Sequence, residues 1–175
     1  MLELKKYRSA GFTMVELVTV VALLGVITAV AFSRFSSTNT YREYATRDGL
    51  LASLRLAQQV ALSHQASTVR WRLQASGGDW EHTVLIAGNA QDPQILEGGA
   101  LIGYAIPYTA GAVGLSSDED DNEQLLVEYD VRGNMTGAGM NAVNAQNNSV
   151  QINISGSGSL CISPTGFAYE GACRP

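Results

Sequence analysis

Lysine is almost absent from this chain: Lys5 and Lys6 are the only two in 175 residues, and with Arg8 they crowd the first eleven positions. Without those eleven residues the chain keeps eight basic and fifteen acidic residues, a net charge of −7 against −5 for the whole. A body this acidic is no general nucleic-acid binder, because attraction to phosphate needs a basic face. Histidine is as scarce: His64 and His82 stand alone, with no His, Cys or Asp beside them at zinc-ligand spacing. No G-x-S-x-G, P-loop or H-E-x-x-H run occurs, and the many Ser and Asn residues lie in loop-like composition, so no enzyme and no cofactor site is expected. Proline, four in all, is missing between residues 12 and 66, which leaves no ring to break a helix there.

Cysteine is limited to Cys161 and Cys173, both near the C-terminus. In a chain exported across a membrane, two thiols this close favour a disulfide over a metal site. The alternative is a pair of reduced thiols, one of them buried as a small hydrophobe.

Charge is also nearly missing from GFTMVELVTVVALLGVITAVAF, residues 11–32, where Glu16 is the one ionisable side chain. From Phe12 to Phe32 the run would span about 32 Å as a helix, enough for a bilayer core. The positive charge preceding it predicts a cytoplasmic N-terminus and an exported remainder. Further on, Leu50, Leu54, Ala57 and Ala61 follow the spacing i, i+4, i+7, i+11, a helical stripe that faces a core together with Leu51 and Gln58. The spacing predicts one helix of about 50 residues, close to 80 Å long, with Gly49 and the Ser36–Thr40 stretch as its weak points.

From residue 68 the period changes to two. Val69, Trp71 and Leu73 alternate with Arg70 and Arg72; Leu125, Val127, Tyr129 and Val131 repeat the pattern, as do Val150, Ile152 and Ile154. HTVLIAG and SLCIS are shorter candidates, and Gly, Asn, Asp and Pro clusters separate them. The predicted class is α+β: a long N-terminal helix, transmembrane in its first half, packed on a C-terminal antiparallel body. Residues 133–149, GNMTGAGMNAVNAQNNS, have little to bury and read as a mobile loop.

Three readings of the N-terminus are open. A secretory signal would be cut after Ala29-Val30-Ala31, but the apolar run is long for one and carries Glu16. A plain signal anchor would leave Glu16 snorkelling at the inner interface. The third reading uses the block AGFTMVEL, in which a basic leader ends in Gly, Phe follows, and Glu stands fifth after Gly. That block resembles the processing site of type IV prepilins. The resemblance implies a pilin fold, cleavage between Gly11 and Phe12 by a prepilin peptidase, and N-methylation of Phe12. It also implies that Glu16 serves filament assembly by meeting a neighbouring subunit's N-terminal amine. Such a pair could set axial register between subunits, since an unpaired buried charge is heavily penalised.

The likeness continues into RFSSTNTYREYATRDGLLASLRLAQQVALSHQASTVRW and, near the C-terminus, VEYDVRGNMTG and SLCISPTGFAYEGAC. These are similar to the pseudopilin H and FimT/FimU group of minor pilins, and REYATRDGLLASLR resembles a minor pilin of mannose-sensitive haemagglutinin-type pili. The expected layout is a cleaved leader over 1–11, a membrane and filament-core helix over 12–32, its amphipathic continuation over 33–66, and a β-rich body over 67–175. The resemblance implies a structural subunit that primes or caps a pilus for surface attachment, or alternatively a type II secretion pseudopilin. Its partners would be other pilins, the peptidase and the inner-membrane assembly platform. It would wait in the inner membrane with its body in the periplasm. A membrane-anchored exported binding module outside any filament is the competing class.

Two departures qualify the likeness. Many pilins carry a proline about where Ser33 stands, and the DNA-binding members have an arginine in the C-terminal turn, where Thr165-Gly166-Phe167-Ala168-Tyr169 has none. DNA capture is therefore not expected, and Arg70 with Arg72 reads as a solvated sheet face. In SSDEDDNEQ, 116–124, Asp118, Asp120 and Asn122 have alternating oxygen-ligand spacing. Glu123 takes the place of the required glycine and Tyr129 the final ligand position, which excludes an EF-hand and leaves a looser calcium site or a solvated acidic loop. Trp71 is expected in the core, and Trp80 in SGGDWEH is expected at the surface, where it could stack on a sugar. The surface ligand, if any, is not named by these residues.

Overall fold

The computed structural model describes residues 13–35, 38–64, 67–97, 100–107, 110–111, 113–115, 123–145 and 147–174; within its helices and strands, side chains 29–35, 38–40, 143 and 144 are not described. The chain divides into two compact units, Met1–Thr38 and Asn39–Pro175.

The first unit holds helix α1, Met14–Phe35. Val, Leu and Ile fill it on every side, so it has no polar face to turn to water, and its large side chains from Met14 to Ile27 are all exposed. Among the described residues no helix is long and apolar enough to cross a membrane. Side chains of α1 are described only from residue 13 to 28, a stretch of about 24 Å, which is shorter than the roughly 30 Å hydrocarbon core that the expected span over 12–32 would fill.

The second unit begins on helix α2, Thr38–Ser63. One helix of about 50 residues was the expectation; the described chain has two, and residues 36 and 37 between them lie outside the described residues. Gly49 does not interrupt α2. A Cβ there would lie 2.7 Å from Leu96 Cδ2, so glycine lets the helix approach that side chain.

Twelve strands are assigned among the described residues: β1 Val69–Ser76, β2 Asp79–Ile86, β3 Asn89–Ala90, β4 Gln94–Leu96, β5 Ile102–Ala105, β6 Val113–Gly114, β7 Gln124–Tyr129, β8 Met135–Gly139, β9 Val143–Asn144, β10 Val150–Ile154, β11 Gly158–Ile162 and β12 Ala168–Glu170. One antiparallel sheet runs β3-β2-β1-β7-β8-β9, with β4 also paired to β2; the other runs β12-β11-β10-β5-β6. Leu50, Leu54, Ala57 and Ala61 of α2 are buried in one core with Val69, Trp71, Leu73, Leu125, Val127 and Tyr129 of the first sheet. Ile152, Leu160 and Ile162 carry the same core into the second. The helical stripe and the alternating strands are thus the two halves of a single apolar interior.

Three local expectations are corrected. Residues 133–149 are not a loop: they supply β8 and β9, and Met135 and Ala138 are buried. The small residues are the reason, because at Gly137 an added Cβ would meet Ala142 O at 2.5 Å; the strand fits only where it has almost no side chain, and so shows no alternation. Val131 leaves the strand for the β7–β8 turn and is exposed, since Asp130 ends the ladder by accepting the backbone N–H groups of Arg132 and Asn134, each at 2.8 Å. Trp80 is 1% exposed rather than at the surface, its Nε1 donating to Ala100 O at 2.9 Å. The acceptor comes from the stretch after β4, and nothing around SGGDWEH announces it.

Candidate functional site

Of the processing residues, Gly11 and Phe12 lie outside the described residues. Description starts at Thr13, and there the chain becomes helical for a local reason. Thr13 Oγ1 accepts the Glu16 N–H at 3.3 Å, satisfying one of the donors that a helix start leaves open. The residues Thr13-Met14-Val15-Glu16 have the T-x-x-E spacing of a capping box, a signal legible in the sequence alone. Glu16 is exposed, in the first turn of α1, where the positive end of the helix dipole favours a carboxylate. It stands on an otherwise apolar rod. The arrangement puts one negative charge near the start of an exposed apolar helix.

The body is organised to hold α2. Arg47 Nη1 meets Glu170 Oε1 at 2.6 Å and donates to Ser157 O at 3.3 Å. Arg55 Nε donates to Ala168 O at 3.1 Å, and its guanidinium lies 5.7 Å from the Phe167 ring centre. Gln58 Nε2 donates to both Gly133 O and Thr165 O. Successive polar side chains of α2 therefore grip the β11–β12 hairpin and the β7–β8 turn, whose carbonyls would otherwise be left open beside the helix.

Cys161 and Cys173 are joined by a disulfide, with Cα atoms 5.0 Å apart. Cys161 points away from the core that Leu160 and Ile162 enter, yet it is fully buried. Cys173 covers it, and the Cys173 N–H donates to Gln151 Oε1 at 3.2 Å on the neighbouring strand. The bond thus closes the outer face of β11 and fastens the tail of the hairpin that α2 grips.

Trp71 is fully buried and its Nε1 donates to Ser53 Oγ of α2 at 3.0 Å. Arg70 and Arg72 do share the outward face of β1, but they differ. Arg70 Nε meets Glu128 Oε2 at 2.6 Å, whereas Arg72 Nε is buried and meets no acceptor among the described residues. His64 is exposed at the end of α2 with Nδ1 near Ser63 Oγ and Val60 O. His82 is partly buried; its desolvation lowers its pKa below the usual 6.5, against the opposing field of Glu81. The calcium candidates Asp118, Asp120 and Asn122 lie outside the described residues, and among the described residues no group of His, Cys, Asp and Glu could hold a metal ion.

Residues 6–32 match the model of the prokaryotic N-terminal methylation motif. The match takes in Gly11, Phe12 and Glu16 and stops where the apolar run ends, so the chain carries a type IV pilin-like N-terminal signal. No curated protein and no solved structure matches the chain significantly.

Proposed function

We propose that this chain is a minor pilin, a structural subunit that primes or caps a type IV pilus used in surface attachment. The observation that carries the reading is the methylation motif over residues 6–32, with Glu16 set in the first turn of an apolar helix whose described large side chains are exposed. On this reading the leader is hydrolysed between Gly11 and Phe12 on the cytoplasmic side of the inner membrane. The new amine of Phe12 is methylated, and the apolar helix keeps the subunit in the bilayer with its body in the periplasm. Leaving the bilayer for a filament exchanges lipid for the helices of neighbouring pilins, at little change in apolar contact. Glu16 then pairs with a neighbour's N-terminal ammonium, because a lone carboxylate in such a core is strongly disfavoured. The partners are the prepilin peptidase, the assembly platform and other pilins.

The body fits this role through the grip of the β11–β12 hairpin on α2. A filament transmits load along its helices, and Arg47, Arg55 and Gln58 fasten α2 to a hairpin that the disulfide closes. Intact-mass measurement after co-expression with a prepilin peptidase tests the proposal. The expected product lacks residues 1–11 and carries one added methyl group. An uncut chain, or one cut after Ala31, overturns it.

A further inference from the structure

A cavity of about 420 Å³ opens where the end of β5 meets the turn between β8 and β9, so both sheets contribute to its wall. Ile106, Pro107 and Met140 make that wall largely apolar, while Tyr104, Asn141 and Asn148 bring polar atoms to it. Tyr104 is only 7% exposed, yet among the described residues its hydroxyl has no hydrogen-bond partner, and the two carboxamides have none either. The Tyr129 hydroxyl is also without a partner, but it is sealed in the core. That of Tyr104 borders the cavity beside Gly139, where a Cβ would lie 3.9 Å from it. Packing alone does not account for this hydroxyl, since phenylalanine would fill the same core volume without a polar atom to satisfy.

The lining limits what the cavity can hold. Among the described residues no charged side chain borders it, unlike the cavities beside Glu128 and Asp130 or beside Glu170 and Arg174. An ionic ligand would lose water there and meet no counter-charge. A hydrocarbon would leave a phenol and two amides open. A peptide strand finds no free edge, because β5 is paired on both sides by β10 and β6, and β8 by β7 and β9. A neutral, compact ligand with several hydroxyls meets every condition, since hydroxyls donate and accept as the phenol and the carboxamides do. We propose that this cavity is a binding site for a neutral sugar ring, a pyranoside. Its hydroxyls bond Tyr104, Asn141 and Asn148, and its C–H face lies on Ile106, Pro107 and Met140, the mixture of apolar wall and few polar groups that small-molecule sites use.

The test uses the full chain in a polyoxyethylene detergent, which has no sugar headgroup to compete. The probes are the methyl glycosides of glucose, galactose, mannose and N-acetylglucosamine, read by saturation-transfer NMR. Each is titrated to about 20 mM, because a single small ring reaches a dissociation constant on the order of 1 mM. At least one glycoside is expected to saturate. Tyr104→Phe and Asn148→Ala should each weaken it at least about threefold, the double change Asn141→Ala with Asn148→Ala should abolish it, and Ser67→Ala, beside another cavity, should leave it unchanged. Urea unfolding is the second readout: Tyr104→Phe should keep the unmodified midpoint, since its hydroxyl gives up no partner within the body. No saturation by any of the four, or equal binding by Tyr104→Phe and Asn148→Ala, overturns the proposal. So does a Tyr104→Phe chain that is destabilised or unfolded, because the hydroxyl is then bonded within the protein. Tighter binding of trialanine or cyclohexane than of every glycoside would overturn it too, by assigning the cavity to a peptide or a hydrocarbon. None of these measurements depends on leader cleavage, so failure here leaves the proposed function to its own test.

Discussion

Replacing Ser53 by Ala should destabilise the body by about 1.5 kcal/mol, although Ala is the better helix former. The hydroxyl sits inside the seam between α2 and the first sheet, 5% exposed, accepting from Trp71 Nε1 at 3.0 Å and donating to Leu50 O at 2.9 Å. Leu50 O loses little when the serine goes, because helical carbonyls keep their backbone partners. Trp71 Nε1 loses the Ser53 acceptor, at a site with 0% exposure where water cannot replace it. An orphaned buried donor costs about 1–3 kcal/mol, and the gain in helix propensity from Ser to Ala returns roughly 0.5. The remainder, about 1.5 kcal/mol, corresponds to a fall in Tm of about 5 °C for a unit of this size. The decisive measurement is a double-mutant cycle with Trp71→Phe, followed by urea unfolding with far-UV circular dichroism. Phe asks for no acceptor, so in that background Ser53→Ala should cost less than about 0.5 kcal/mol, leaving a coupling of about 1 kcal/mol or more. If Ser53→Ala costs the same in both backgrounds, the hydrogen bond is not what ties α2 to β1.

Reduction of Cys161–Cys173, or the double change to Ala, should lower the unfolding free energy by about 3 kcal/mol, from a closed loop with a sequence separation of 12; equal denaturant midpoints with and without reductant would contradict this. His82 titrates below the ordinary histidine range when folded, so the unfolded chain takes up the proton first. Its contribution to stability is complete above about pH 6.5 and is lost as pH falls toward the folded pKa, and His82→Gln should flatten the urea midpoint between about pH 7.5 and 5. Burial alone would raise the Asp130 pKa, but the Asn134 side chain and the Asn134 and Arg132 backbone N–H groups outweigh it and lower it. The turn therefore weakens only as pH drops below about 4, and Asp130→Asn should remove that acid-side loss in the same titration. Glu16→Val should leave leader cleavage intact by mass and greatly reduce recovery of the subunit in sheared pilus fractions; normal recovery would refute the role given to Glu16.

Where a segment's role follows from its own side chains, the sequence could be read directly. Leu50, Leu54, Ala57 and Ala61 recur at helical spacing and all four are buried; Val69, Trp71 and Leu73 alternate and face the same core. In both cases the periodicity is the packing face. The two cysteines were readable for a similar reason, since the chemistry of two nearby thiols in an exported chain leaves few alternatives. Thr13 is legible as well, through its spacing to Glu16 at the start of the apolar run.

What the sequence determines by itself is the N-terminal signal, the apolar rod bearing one carboxylate, and the two periodicities that make a helix and a sheet share a core. Tertiary structure alone decided the rest. Trp80 is buried because Ala100 O reaches its indole; β8 is a strand because β7 and β9 flank residues too small to advertise one; Arg72 differs from Arg70 because Glu128 lies across from only one of them. Each of these depends on a partner distant along the chain. Side-chain period reports which face of an element is apolar, but hydrogen bonds and ion pairs are made between elements, and their pairing exists only once the sheets have formed.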